Sequence, residues 1–216
     1  MANGAGDSIT PFFTIWTEPR ATIRRIVDTD PTRHVIALAA IGPALGALAR
    51  QWSKALGNNA NLSVLWPLWV AVSVAFQAAL GVLFLFILGA VFRWSGSLLS
   101  GVASNVEVRA ALAWSQVIGI VAQIFLLIAV LLGVPVPTPQ ATPAGILPQI
   151  DPAFYKVMVV EGVLGIWGLV VSLKCLGEVH RFSAWRALAA FLIPPLIVVI
   201  VVGVTVLALG RLTGHH

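Results

Sequence analysis

One acidic residue in this chain sits where an acid is expensive. Glu161 falls about eight residues inside an apolar run, roughly 12 Å from its end at a helical rise of 1.5 Å per residue. An ionised carboxylate at that depth of a bilayer costs several kcal/mol unless it is paired or wetted. It must therefore hold a proton, find a partner or line a polar cavity. Gln77, Gln116 and Gln123, on two other apolar runs, are its candidate partners in an intramembrane polar site. Two readings stay open for this group: a proton, ion or substrate site, and a structural hydrogen bond between helices.

A second cluster is basic. Arg20, Arg24 and Arg25 recur at helical spacing beside Ile23, Ile26 and Val27, and Phe12, Ile15 and Trp16 precede them with the same period. Thr17 is a plausible N-cap with Pro19 tolerated in the first turn, so a short amphipathic helix is expected from about Glu18 to Asp28. Its arginines are candidate contacts for lipid headgroups or a protein partner. Its apolar stripe could lie in the membrane interface or pack on the rest of the protein.

Catalytic constellations are absent from the sequence. It contains no HExxH, no GxSxG, no phosphate-binding loop and no paired carboxylates at a pocket, so a non-enzymatic protein without cofactor or metal is expected. Cys175 is the only cysteine, which leaves neither an intramolecular disulfide nor a thiolate cluster. His34 and His180 fall at expected membrane boundaries, where interfacial hydrogen bonding is the simpler role, and the terminal His215 and His216 are given no function. Trp114 and Trp167 lie deeper and are read as packing residues.

The elements that position these groups follow from composition. Of 216 residues 59% are hydrophobic and only 10% charged, against about 25% charged in soluble domains. Too few polar residues exist to cover a soluble globule, so lipid must be the outer solvent. The net charge of +5 comes from basic residues between apolar stretches, which argues for membrane topology and against nucleic acid. Residues 1–33 show no secretory leader pattern.

A bilayer core about 30 Å thick takes about 20 helical residues. Five apolar runs qualify: His34 to Gln51, Trp66 to Phe92, Ala110 to Val134, Ala153 to Leu176 and Trp185 to Leu209. The expected fold is an all-α integral membrane protein with five transmembrane helices after an N-terminal amphipathic interfacial helix. Residues 1–33 form the N-terminal segment, 34–209 the membrane domain and 210–216 a tail. With the N-terminus in the cytoplasm, Arg20, Arg24, Arg25, Arg33, Arg93, Arg109, Lys174, Arg181 and Arg186 lie inside, and Arg50, Lys54, Lys156 and Arg211 outside. That bias predicts N-inside, C-outside topology. Trp52, Trp66, Trp69, Trp94 and Trp185 fall near span ends, as interfacial anchors do.

Pro135, Pro137, Pro139, Pro143, Pro148 and Pro152 predict an extended outer connector between spans three and four. Gly42 and Gly46 form a GxxxG around Pro43, which also predicts a bend. Together with Gly162 and Gly165 they are candidate packing residues, within the bundle or in a homo-oligomer.

Three stretches together resemble the Yip domain family, the Ypt/Rab-interacting type of polytopic membrane protein, in its prokaryotic form. They are Trp16-Thr17-Glu18-Pro19-Arg20 through Ile26, the link from Gly96 through Gly101 and Glu107-Val108-Arg109-Ala110 to Gln116, and Leu176-Gly177-Glu178-Val179-His180-Arg181 through Leu188. In the last, Ser183 is placed to cap the final helix. The resemblance implies a five-span helical domain with a cytoplasmic N-terminus and carries no catalytic residues. The expected protein is a scaffold or adaptor organising lipid or partner proteins in a prokaryotic plasma membrane; the alternative is a transporter, channel or lipid-translocating protein with Glu161 in its path. Membrane lipids, a homo-oligomer and a protein at the cytoplasmic face are the partners considered.

Overall fold

The computed structural model describes residues 6–57, 64–134 and 152–213. Among these residues it holds seven helices and no strand. The chain is an all-α integral membrane protein. Helices α3 (Val35–Gly57), α4 (Trp66–Leu98), α5 (Asn105–Leu131), α6 (Pro152–Val179) and α7 (Ala184–Thr213) are each long and apolar enough to cross a bilayer. Each overlaps one of the five apolar runs, with ends displaced by up to six residues; α5 starts five residues before its run and stops three short of its end. At about 1.5 Å per residue the 33 residues of α4 span about 50 Å, well beyond a hydrocarbon core.

Helix ends are closed by local chemistry. Ser104 and Glu107 form a reciprocal capping box at the start of α5, which satisfies two backbone donors. Arg186 N–H donates to Ser183 Oγ over 3.4 Å at the start of α7, the cap its sequence predicts. At their C-terminal ends α4, α5 and α6 turn through a left-handed residue, Ser100, Gly133 and Arg181 respectively. Each turn carries a bond five residues back: Gly101 N to Gly96 O at 2.9 Å, Val134 N to Ala129 O at 3.0 Å and Phe182 N to Gly177 O at 2.9 Å. These pairings use carbonyls that a helix end leaves open.

The N-terminal segment is two helices, α1 (Gly6–Thr17) and α2 (Pro19–Thr29). Thr17 is not the cap expected of it. Glu18 occupies the N-cap position without a side-chain bond, and Pro19 stands in the first turn, where its missing N–H costs nothing. Thr22 Oγ1 donates to Thr14 Oγ1 over 2.8 Å and ties the two helices together. Of the two placements open to the apolar stripe of α2, the packed one is observed: Ile23 and Ile26 are buried against the bundle and α2 contacts α5 and α6. Ile15 of α1 is also fully buried. From α2 the chain enters α3 through a turn in which Asp30 Oδ1 accepts from the Thr32 N–H (3.0 Å) and hydroxyl (2.7 Å). Those bonds hold the Asp30 carboxyl below its ordinary pKa.

Helix α5 is the hub, in contact with α1, α2, α3, α4 and α6. Trp114 at its centre is buried, with Phe12 at 4.9 Å and His34 at 6.2 Å between ring centroids, so it is a packing residue as expected. Trp167 is partly exposed and has the Lys174 ammonium 6.0 Å from its ring centroid. Helix α7 packs on α4 and α6 at the end where α2 sits, through buried Ala187 and Ala190 and a Phe92–Phe191 ring stack at 5.1 Å. Past Pro194 and Pro195, every residue from Pro195 to Val206 is exposed. Helices α4, α5, α6 and α7 therefore form a ring that is closed at the α2 end and open at the far end. There, Trp52 and Trp66 pair at 5.6 Å. The connector with Pro135, Pro137, Pro139, Pro143 and Pro148 lies outside the described residues, as do His215 and His216, and Pro152 opens α6 instead of belonging to that connector.

The candidate packing glycines divide. A Cβ on Gly46 would meet Gln123 Oε1 at 2.6 Å, and one on Gly42 would touch Ile120 at 3.7 Å, so both lie where α3 meets α5. Gly162 and Gly165 have no described atom within 4 Å of a Cβ position, which corrects their assignment to packing within the bundle. The tightest approach between spans is at Gly81, which the sequence does not mark: its Cβ would collide with the Ala39 carbonyl and lie 2.7 Å from Pro43 Cγ. Gly81→Ala should therefore destabilise the protein by roughly 1–3 kcal/mol of overpacking. Gly162→Ala should be neutral or stabilising, because alanine favours a helix by about 1 kcal/mol over glycine. Thermal unfolding of both variants in detergent checks the opposite signs.

Candidate functional site

The four residues of the expected polar site converge on the α4–α5–α6 face. Glu161, Gln116 and Gln123 line a cavity of about 280 Å3 between α5 and α6, with Ser115, Gly119, Gly165, Gly168 and Ser172. Gln77 lines a second cavity of about 230 Å3 between α3, α4 and α5. Gln116 belongs to both, so the two adjoin. Together they make a cleft along α4, α5 and α6 that no described residue of α7 lines.

Helical periodicity explains the lining. On α6 the residues Glu161, Gly165, Gly168 and Ser172 follow at intervals of four, three and four, which is one face of a helix. On α5 Gln116 and Gln123 stand two turns apart, as do Ser115 and Ala122. The glycines keep that face low, so the cleft exists because side chains are missing from it. Ser115 and Ser172 are cleft residues that the sequence did not flag, although their spacing from Gln116 and Glu161 was there to find them.

The polar inventory is lopsided. Ser115 Oγ donates to Leu112 O and Ser172 Oγ to Gly168 O, each over 2.8 Å, so both hydroxyls have spent their single proton on their own helix. Glu161 Oε1 is buried and has no hydrogen-bond partner among the described residues. Among the described residues the cleft therefore presents acceptors from Glu161, Ser115 and Ser172, and side-chain donors from the amides of Gln77, Gln116 and Gln123.

A second group of residues meets at the α2 end. Arg24 Nε donates to Glu178 Oε1 over 2.6 Å, its Nη2 contacts the same oxygen, and Arg20 Nη1 lies 3.7 Å from Oε2. Both arginines are about half exposed, so the ion pairs are worth less than their geometry suggests. Their effect is positional: with Ile23, Ile26 and the Cys175 thiol, which donates to Pro19 O over 3.8 Å, they seat α2 on the end of α6. Arg25, Arg181 and Arg186 are exposed and make no ion pair among the described residues.

His180 does not behave as an interfacial hydrogen-bonding residue. Its ring is buried in the turn after α6, stacked on Phe182 at 5.1 Å, and lies against Gly96 in the last turn of α4 and Gly101 of the α4–α5 link, where neither glycine has room for a Cβ. Neither ring nitrogen has a hydrogen-bond partner among the described residues. Burial pushes the imidazole pKa below its ordinary value, and the Phe92 carbonyl and Glu107 carboxylate only partly oppose that. The unfolded chain then binds the proton first, so stability present above about pH 6.5 is lost as pH falls toward the folded pKa. The melting temperature in detergent should drop between about pH 7 and about pH 5, and His180→Phe should flatten that profile.

The family model described as Yip1 domain matches residues 13–207, which takes in both groups of residues and nearly the whole chain. No curated protein matches it. No solved structure matches it either. With all five candidate spans and α2 inside the matched region, the chain belongs to the Yip1 domain family.

Proposed function

We propose that this protein is a non-enzymatic, multi-pass membrane scaffold of the Yip type that gathers anionic lipid or an acidic partner at its α2 end. The observation that carries this reading is a basic surface held rigidly. α2 is seated by buried Ile23 and Ile26 and by Arg20 and Arg24 on Glu178, while Arg25, Arg181 and Arg186 remain exposed and unpaired among the described residues. Exposed Trp185, beside Arg186 at the start of α7, adds an apolar contact suited to an interface. The excess of Lys and Arg at this end supports placing it in the cytoplasm, with the C-terminus outside, and a prokaryotic plasma membrane is the setting proposed. Each exposed arginine near an anionic surface contributes about 1 kcal/mol.

Protein in neutral nanodiscs should therefore capture vesicles containing anionic lipid, and capture should weaken with salt. Replacing Arg25, Arg181 and Arg186 together by Gln should reduce it by at least tenfold. Capture that neither the triple variant nor salt changes would remove this reading.

The cleft supports a second reading, transport with Glu161 in the pathway, because a buried acceptor without a partner is costly in a membrane unless something visits it. Liposomes carrying the protein should then leak protons, ions or labelled lipid down a gradient, and Glu161→Gln should slow the leak at least tenfold. Vesicles that stay tight under every gradient would dismiss it.

A further inference from the structure

We propose that the α4–α5–α6 cleft binds the head of a membrane amphiphile that carries a primary ammonium, with the ammonium on Glu161.

The cleft selects for a donor. Glu161 Oε1 lacks a partner among the described residues, and Ser115 and Ser172 present only lone pairs. A primary ammonium supplies three N–H donors and the charge that neutralises a carboxylate, whereas a trimethylammonium supplies charge and no donor. A bound water or a proton on the carboxyl would also satisfy the group, but neither distinguishes one head group from another.

Gln123 ties the cleft to α3: its Oε1 lies 2.6 Å from where a Cβ on Gly46 would be, and the same residue lines the cavity with Glu161. Arg50, beside Gly46 on α3, lines neither cavity, so among the described residues no basic side chain of the cleft answers Glu161 and the ligand must bring the cation.

The remaining surface suits a chain rather than a free solute. The adjoining cavity is walled by Leu80, Phe84, Leu85 and Leu88, of which Phe84 and Leu88 are exposed on the outer surface of α4. No described residue of α7 lines either cavity, so an amphiphile can enter from the bilayer without leaving it. Gly165, with no described atom near a Cβ position, keeps the entrance wide. Binding at equilibrium needs no transport, so absence of flux leaves this proposal standing, and loss of head selectivity removes it alone.

Full-length protein in nanodiscs of equal phosphatidylethanolamine and phosphatidylcholine tests it, with the retained lipid read by native mass spectrometry. Phosphatidylethanolamine should be retained at least fivefold over phosphatidylcholine, and Glu161→Gln should abolish the preference. Gly165→Leu, which fills the entrance without touching a charge, should exclude both lipids and serves if Glu161→Gln does not fold. Equal retention of the two lipids, or a preference that survives Glu161→Gln, would overturn the proposal. Displacement of bound lipid by millimolar ethanolamine would overturn the amphiphile in favour of a soluble amine. Efficient disulfide cross-linking of two copies through Gly165→Cys would overturn it in favour of a subunit interface.

Discussion

Hydrocarbon offers a polar group no partner, and the arrangement of this molecule follows from that constraint. Backbone groups are satisfied within each long helix, and the turns at the ends of α4, α5 and α6 return carbonyls to N–H groups five residues on. Lipid also gives apolar side chains no reason to leave it, so burial between spans cannot be driven as it is in water. The spans instead meet where small residues let them approach, as at Gly81 against Ala39 and at Gly46 against Gln123. Several polar side chains within the spans lie together, with Glu161, Gln116 and Gln123 lining one cavity and Gln77 its neighbour.

The two ends of the bundle are built differently for the same reason. At the α2 end the chain leaves hydrocarbon, so charge and apolar burial can both contribute. Ile15, Ile23, Ile26, Trp114 and Leu176 form a buried core there, and Glu178 gathers Arg20 and Arg24 around it. His180 closes the junction by filling the space that Gly96 and Gly101 leave empty, which joins the α4–α5 link to the α6–α7 turn. Toward the far end the ring loosens, because Pro194 and Pro195 interrupt the α7 hydrogen-bond ladder and the residues beyond face outward. A firm basic base and an open polar cleft are the two features on which any activity must act.

Much of this was legible in the amino-acid order. A membrane span is a one-dimensional property, a run of apolar residues long enough for the bilayer, and all five runs became helices α3 to α7. The amphipathic entrance showed in the period of Ile23, Ile26 and the arginines, and the depth of Glu161 in its distance from the ends of its run. Of the polar residues that the spans carry, Glu161, Gln116 and Gln123 line one cavity and Gln77 the adjoining one.

What tertiary structure decided was which surface covers which. An apolar stripe has the same pattern whether lipid or another helix lies against it, so only the fold shows α2 packed on α5 and α6. A glycine has the same local appearance in a contact and in a gap, yet Gly81 is pressed against backbone while Gly162 and Gly165 face open space. Arg24 and Glu178 are 154 positions apart, and nothing local to either names the other. Sequence alone determined that this chain spans a membrane and carries one costly acid within it, since both depend on residue type and spacing. The partners of α2, the socket around His180 and the open side of the cleft depend on contacts between distant segments, which only the folded chain creates.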